Sequence, residues 1–342
     1  MTSFQSLIII LICILSIIII LYLIESDNFL PEKQIRKYVS LGKFKHALYL
    51  LDKYSEKLDP LFFYNNKILV LSKQKDFDAA YELSIEAIKK LKEPNYELYN
   101  NISFVYYNLK LYHRAIDFSE KALKLNPIDT FALNNKGFSY IEIGEYSKAD
   151  ECFDKALEFN PYFKNALSGK AYCAFEKSDY LLATKYLQDF VSIEKYNASA
   201  YKKLGECYFL LNDLKNSSKM YEKSLEIDQE NDASYCEYAN VLLCLGHYDK
   251  ALNNLNKALA ISPYNFMAFY YKARAYSLKK DFDNAFYYLE RAFNYCDSLK
   301  EIALKDEMLT NLKFFSKFSE LLENQSKKTL KVLKLHLLIL KL

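Results

Sequence analysis

Hydrophobic and polar positions alternate along most of this 342-residue chain with the spacing of amphipathic helices. In the clearest segment, Leu133, Gly137 and Tyr140 follow the i, i+4, i+7 pattern that lines one face of a helix. A second stripe follows and consists of Ala149, Cys152, Phe153 and Ala156. Gly144 separates the two stripes and Pro161 closes the second, since both residue types break helices. The segment therefore predicts two packed helices.

The same two-helix pattern recurs at a nearly constant period. Small residues mark the second helix of each unit at Ala47, Ala80, Ala115, Ala149, Ala183, Ser217, Ala251 and Ala285. Further small residues mark the first helix at Ser103, Gly137, Ala171, Gly205, Ala239 and Ala273. Short side chains let two helix backbones approach closely, and neighbouring Tyr and Phe residues fill the remaining space. A period of this length is typical of stacked repeats, so we expect an all-α fold of about eight helix-turn-helix units.

These columns resemble the tetratricopeptide repeat, whose units carry a bulky first residue, Leu-Gly, Tyr, and then Ala, Phe, Ala and Pro. Units that begin near Tyr96, Thr130, Asp232 and Phe266 follow this signature most faithfully. The usual first-helix tryptophan is absent, and the first unit, near Asn28, is degenerate. The resemblance implies a right-handed superhelical solenoid with a concave face lined by first helices.

The predicted solenoid covers residues 28–299. Its repeats lie near 28–60, 61–95, 96–129, 130–163, 164–197, 198–231, 232–265 and 266–299. Residues 300–342 are predicted to form capping and Lys/Leu-rich helices, because leucines follow a helical stripe with lysines between them. The final segment, 327–342, fits either a second capping helix or a helix on a membrane surface.

Residues 1–27 predict a transmembrane anchor ahead of the repeats. Phe4 to Ile24 contains no charge, and its 21 residues span roughly 31 Å as a helix. A cleaved signal peptide fits less well, since no basic residue precedes the apolar run and no small-residue cleavage site follows it. Lys33, Arg36 and Lys37 follow the run, so we expect a single-pass protein with a cytoplasmic repeat domain.

Composition excludes several classes of function. The 46 basic residues nearly balance the 43 acidic ones, so a nucleic-acid partner is not expected. Seven cysteines occur without a C-x-x-C pair, which argues against a disulfide framework and a zinc site. No nucleotide-binding, metalloprotease or nucleophile-elbow motif is present. We therefore expect no enzyme activity, no catalytic residues, no cofactor and no metal.

The resemblance places a candidate binding groove on the first helices. Its predicted residues are an asparagine row, Asn66, Asn101 and Asn135, and an aromatic strip, Phe104, Phe138, Tyr172, Tyr107 and Phe175. A side-chain amide carries a donor and an acceptor, so such a row can pair with the backbone of an extended peptide. Two alternatives remain open: the asparagines can reflect the Asn-rich composition, and the aromatic residues can pack between repeats.

The predicted function is a membrane-tethered tetratricopeptide-repeat scaffold that binds a protein or an extended peptide in its concave groove. One alternative is a recruitment or regulatory subunit of a partner enzyme. Another is a structural module that self-associates through its ends. The sequence does not fix the oligomeric state, and the Lys and Arg set that chaperone-binding repeats use is not present as a unit.

Overall fold

The computed structural model describes residues 31–323, and every regular element in that range is helical. The α-helices are α1 (Pro31–Ser40), α2 (Phe44–Lys53), α3 (Pro60–Lys73), α4 (Phe77–Lys90), α5 (Tyr96–Asn108), α6 (Tyr112–Leu125), α7 (Thr130–Glu142), α8 (Tyr146–Phe159), α9 (Lys164–Glu176), α10 (Tyr180–Ile193), α11 (Ala198–Leu210), α12 (Leu214–Ile227), α13 (Asp232–Cys244), α14 (Tyr248–Ile261), α15 (Phe266–Leu278), α16 (Phe282–Tyr295) and α17 (Leu299–Lys305). A 3-10 helix, Glu307–Leu312, and a helical segment, 316–323, follow.

The helices form antiparallel pairs in two compact units. The first unit ends at Cys173 and the second begins at Ala174, so the division falls within α9. In the pairs that lie within one unit, an odd-numbered first helix packs on the even-numbered second helix that follows it, as α5 does on α6 and α15 does on α16. Successive first helices also touch each other, as α3 does with α5 and α5 does with α7.

The small residues of the second helices are among the most buried positions of the fold. Ala47, Ala80, Ala115, Ala149, Ala183, Ser217, Ala251 and Ala285 all have 0% exposure. This confirms the prediction that the small residues seal helix against helix. Glycines in the first helices allow closer approach still. The ring of Phe153 lies where a side chain of Gly137 would project, and the ring of Tyr221 lies in the same way over Gly205.

Each turn between paired helices contains one residue in the left-handed region. These residues are Gly42, Lys75, Lys110, Gly144, Ser178, Asn212, Gly246 and Lys280. At one such turn, the Glu145 N–H donates to Tyr140 O at 2.9 Å, which satisfies a carbonyl at the end of α7. Only glycine adopts this conformation without steric cost, yet five of the eight positions hold another residue.

Polar pairs connect several first helices to the second helix before them. Lys136 Nζ lies 2.9 Å from Glu120 Oε1, and one repeat later Lys170 Nζ lies 2.7 Å from Asp154 Oδ1. Lys170 also reaches Asp150 Oδ1 at 2.7 Å, and its side chain is only 6% exposed. In the second unit the same positions hold hydrogen-bonded pairs, Tyr238 with Glu222 and Lys272 with Asn256.

The segment after α16 covers the last repeat of the second unit. Its apolar side chains join the core of that unit through Leu299, Ala303, Leu309, Leu312, Phe318 and Leu321. Asp306 fixes the connection: its Oδ2 accepts from the Tyr270 hydroxyl at 2.6 Å and lies 2.9 Å from Arg274 Nε. The Lys/Leu-rich tail predicted within residues 300–342 lies outside the described residues from position 324 onward.

The structure corrects the predicted localisation. Among the helices of residues 31–323, none combines the length and the apolar character needed to span a membrane. The prediction of a single-pass membrane protein with a cytoplasmic repeat domain is therefore wrong for this structure. The segment 1–27, on which that prediction and the predicted membrane partner rested, lies outside the described residues.

Candidate functional site

A cavity of about 670 Å³ extends across three successive first helices of the first unit. The amino-terminal halves of α3, α5 and α7 form it, together with Arg36 from α1. Its polar lining consists mainly of Asp59, Asn65, Asn66, Asn95, Glu97, Asn100, Asn101, Asn126, Asp129 and Thr130. The position follows from the repeat, because each unit presents the start of its first helix at the equivalent place.

Side-chain amides link the first helices that line this cavity. Asn101 Nδ2 donates to Asn65 Oδ1 at 2.6 Å, which connects α5 to α3. Asn135 Nδ2 donates to Asn100 Oδ1 at 2.7 Å, which connects α7 to α5. We call these two contacts the amide bridges. In both bridges, the acceptor directly precedes a member of the asparagine row in the repeat before: Asn65 precedes Asn66, and Asn100 precedes Asn101.

The asparagine row is therefore partly engaged inside the protein. Asn66 Nδ2 donates to Phe62 O of its own helix at 2.8 Å, while Asn101 and Asn135 donate through the amide bridges. The Oδ1 atoms of Asn66 and Asn101 and the Nδ2 atom of Asn100 make no hydrogen bond within residues 31–323. Each of these three amides keeps one polar atom for another molecule.

The amide bridges stop at α7. The next bridge would join Asn134 to position 169, but glycine stands there because the ring of Phe153 leaves no space for a side chain. Asn134 is 7% exposed, and its Oδ1 has no hydrogen-bond partner in the described part of the chain. A buried amide oxygen without a partner is unusual, so the end of the series carries a local energetic cost.

The carboxylates of the cavity are already used by the protein. Asp59 and Asp129 cap α3 and α7, where Asp59 Oδ2 accepts from Phe62 N at 2.8 Å and Asp129 Oδ1 accepts from Phe131 N at 2.9 Å. Glu97 Oε2 accepts from Asn65 Nδ2 at 3.0 Å. Burial raises the pKa of Asp129 against these backbone hydrogen bonds, and the charge of Glu97 adds to the increase.

Two large apolar side chains stand at the edge of the cavity. Ile128 is 58% exposed and Phe131 is 60% exposed, and both line the cavity. The Phe131 ring is held edge-on against Phe163 with centroids 5.4 Å apart. An exposed aromatic ring that its neighbours hold in place can bury apolar groups of a partner at little entropic cost.

The predicted aromatic strip lies outside this cavity and packs between helices. The ring of Phe104 lies 6.3 Å from that of Phe77, and the ring of Phe138 lies 5.1 Å from that of Phe153 and 6.5 Å from that of Tyr107. These contacts account for much of the surface of Phe104, Phe138 and Tyr107, which are half-buried.

Tyr107 also takes part in a polar cluster with Glu142. The hydroxyls of Tyr107 and Tyr112 donate to the two carboxylate oxygens of Glu142 at 3.4 Å and 3.1 Å. Burial, assisted by the charge of Glu142, raises the pKa of Tyr107 to about 12. The phenol of Tyr107 therefore remains protonated and acts as a hydrogen-bond donor at neutral pH.

The last two members of the strip are placed differently. Tyr172 is 42% exposed and lies 6.4 Å from the ring of Tyr146. Phe175 belongs to the second unit, where its ring lies 5.4 Å from that of Tyr180 and 4.0 Å from Lys203 Nζ. Of the eight predicted residues, the structure brings Asn66 and Asn101 together in the cavity, and it brings Tyr107 and Phe138 into contact elsewhere.

Asn65, Asn100, Ile128 and Phe131 line the cavity but are not among the site residues predicted from the sequence. Asn65 and Asn100 stand directly before members of the asparagine row, so the doubled Asn-Asn pattern was the available signal. No periodic signal identified Ile128 and Phe131, because they occupy the turn before α7 and its first turn, which the apolar spacing does not cover.

Four sequence profiles of the tetratricopeptide repeat match the chain. They cover residues 96–129, 131–163, 196–263 and 238–295. The matches and the helix pairs together support assignment to the tetratricopeptide-repeat family and describe an all-α repeat fold. None of the curated proteins matches this sequence.

Two similar solved structures have TM-scores above 0.5 and show the same fold. The C-terminal part of a tetratricopeptide-repeat protein from Cytophaga hutchinsonii matches with a TM-score of 0.56 at 16% identity, over 69% of this chain and 97% of that one. PilF of Pseudomonas aeruginosa matches with a TM-score of 0.52 at 18% identity, over 64% of this chain and 96% of that one. YrrB, described as having an unusual peptide-binding site, has a TM-score of 0.48 at 23% identity, over 54% of this chain and 95% of that one.

Proposed function

We propose that the chain is a non-catalytic scaffold that binds an extended segment of a protein partner in the cavity of α3, α5 and α7. The observation that carries the proposal is the set of unused amide atoms in that cavity. Oδ1 of Asn66 and of Asn101 can accept backbone N–H groups, and Nδ2 of Asn100 can donate to a backbone carbonyl. Together they offer an extended chain pairing that does not depend on its side chains.

The shape and the edge of the cavity support the same proposal. A volume of about 670 Å³ is within the range of ligand sites, and the cavity runs across three repeats, which suits an elongated ligand. Ile128 and Phe131 are exposed at the cavity, so apolar side chains of the bound segment would be buried against them. The amide bridges already fix the helices relative to one another, so binding a partner would cost little additional conformational entropy of the protein.

A peptide selection tests this proposal. Random peptides displayed on phage are selected on the full chain, and the affinity of the best binder is measured by fluorescence anisotropy. We expect Asn66→Ala and Asn101→Ala each to weaken binding about fivefold to tenfold, the effect of losing one neutral hydrogen bond.

The matched control is Asn253→Ala, which removes an exposed amide from α14 in the second unit. We expect no change in affinity for this variant. Equal affinity of the parent and of both cavity variants would contradict the proposal.

A further inference from the structure

The asparagine row has a continuation in the second unit. The same repeat position holds Asn66, Asn101 and Asn135 in the first unit, then Gly169, and then Lys203, Glu237 and Tyr271 on α11, α13 and α15. The position that carries neutral amides in one unit therefore carries charged and phenolic groups in the other.

The charges on either side of Glu237 are balanced within the protein. Lys203 Nζ donates to Glu206 Oε2 at 2.7 Å. Arg274 Nε lies 2.9 Å from Asp306 Oδ2. Neither cation pairs with Glu237.

Glu237 itself has no partner. It is half-buried, and it forms no hydrogen bond or ion pair with any residue between 31 and 323. Burial raises the pKa of Glu237; the charge of Lys202 acts to lower it and the charge of Glu206 to raise it further, so the pKa of Glu237 is raised. A carboxylate held away from water without a hydrogen bond is costly, and a bound cation would remove that cost.

Two phenols beside Glu237 are also unpaired. Tyr221 is 2% exposed and Tyr271 is 7% exposed, and neither hydroxyl makes a hydrogen bond within the described residues. Tyr221 occupies the repeat position of Phe153 and Glu237 that of Gly169, and in the first unit the Phe153 ring lies against Gly169. Tyr271 stands at the position of Glu237 on α15, a first helix that contacts α13. Burial raises the pKa of both phenols, and the charge of Glu237 adds to the increase. The Tyr221 ring is held over Gly205, where a Cβ would come within 2.8 Å of it.

We propose that Glu237, Tyr221 and Tyr271 form a pocket for the cationic side chain of a lysine or arginine carried by an extended segment of a partner protein. The carboxylate supplies the opposite charge, and the two phenol oxygens accept additional N–H groups. A metal ion is a poor occupant, because one carboxylate provides too few anionic ligands and no group of three or more potential ligands occurs within residues 31–323. The Arg274 guanidinium lies 5.5 Å from the centroid of the Tyr271 ring, but Asp306 offsets its charge.

The pocket shares no residue with the cavity of the first unit, so each can be tested without the other. The probe is an array of random twelve-residue peptides, printed in parallel with every lysine replaced by norleucine and every arginine by citrulline. The full chain is applied, and the strongest cation-dependent binder is measured by fluorescence anisotropy. We expect Glu237→Gln to weaken this binder about tenfold, as loss of a charge-assisted contact does, and to remove the preference for arginine over citrulline. Tyr271→Phe, which keeps the ring, should weaken it severalfold.

Two control variants separate binding at Glu237 from binding at a neighbouring charge or in the first unit. Lys202→Met removes the one cation among residues 31–323 whose charge lowers the pKa of Glu237, so it should leave binding unchanged or tighter. Asn101→Ala, in the first unit, should leave it unchanged. Circular dichroism establishes that each variant is folded. Equal affinity of the parent and Glu237→Gln, equal binding of the arginine and citrulline peptides, or the absence of any cation-dependent binder would each overturn the proposal.

Discussion

The ring of Phe153 occupies the space that a side chain at Gly137 would need, because a Cβ at Gly137 would lie 2.7 Å from Phe153 Cε1. The same ring also lies against Gly169 in the next first helix. Phe153 cannot move away from one glycine without approaching the other, and it is fully buried. The three residues therefore determine how closely α7, α8 and α9 pack.

We expect Gly137→Ala to destabilise the protein by about 1–3 kcal/mol, the usual cost of overpacking a core. This is opposite in sign to the gain of about 1 kcal/mol that alanine brings to an open helix position. Urea unfolding measures the difference. Adding Phe153→Leu should recover part of the loss, and a stability of Gly137→Ala at or above that of the parent would refute the prediction.

The turn residues with positive φ predict a second pair of stability changes. Lys110 has a φ of 61° and Gly144 has a φ of 79° at the equivalent position of the next repeat. We expect Lys110→Gly to stabilise the protein by up to about 1 kcal/mol and Gly144→Ala to destabilise it by about 1 kcal/mol, because only glycine adopts this conformation freely. Thermal unfolding of both variants checks the sign, and changes in the same direction would contradict the prediction.

The buried cation Lys170 predicts a larger effect. Lys170→Met removes the ammonium group that contacts the carboxylates of both Asp150 and Asp154. We expect a loss of about 2–3 kcal/mol, less than for a fully buried pair because Asp154 is 59% exposed. The matched control is Lys136→Met, whose partner is a single carboxylate, and it should cost under about 1 kcal/mol.

The Lys170 variant also has a rescue test. Replacing Asp150 and Asp154 by Asn in the Lys170→Met background should restore most of the stability, since the two negative charges that Lys170 offset are then removed as well. Failure of this rescue would show that the lost packing of the lysine side chain, and not the charge, causes the effect.

The raised pKa of Glu237 predicts a pH dependence of stability. A carboxyl whose pKa is higher in the folded state favours folding when protonated, and that contribution is lost as pH rises through the folded pKa. At neutral pH, Glu237→Gln should therefore be more stable than the parent. The difference should shrink as pH falls below the folded pKa toward 4.5, the ordinary value for the group. Urea unfolding at several pH values measures it, and a less stable Gln variant at pH 7 would contradict the assignment.

The repeat fold could be predicted from the sequence because its determinants are periodic. Ala149 and its equivalents keep one phase along the chain, and each is fully buried in the structure. The candidate site was predicted less well. The spacing placed Asn101 on the correct face, but it did not show that its amide donates to Asn65 in the neighbouring helix. That contact depends on the axial offset between successive first helices. The spacing of residues within one helix gives no information about this offset.

The reasons for departures from the repeat pattern could not be predicted from the sequence either. Gly169 interrupts the asparagine row, and the reason lies in the ring of Phe153 on a different helix. Glu237 occupies an equivalent of Asn135, but the period did not show that Lys203 pairs with Glu206, or that Glu237 forms no hydrogen bond or ion pair within residues 31–323. Such choices among neighbouring side chains are decided by distances of a few ångströms, so they become visible only in three dimensions.

The fully buried alanines and the position shared by Asn101, Asn135, Lys203 and Glu237 serve different tasks on the same scaffold. Residues at the second position differ between the two units, while the alanine position hardly changes. Placing Lys203, Glu237 and Tyr271 at the equivalent positions of α3, α5 and α7 would change the chemistry offered to a ligand, but it would also remove the amide bridges that join those helices.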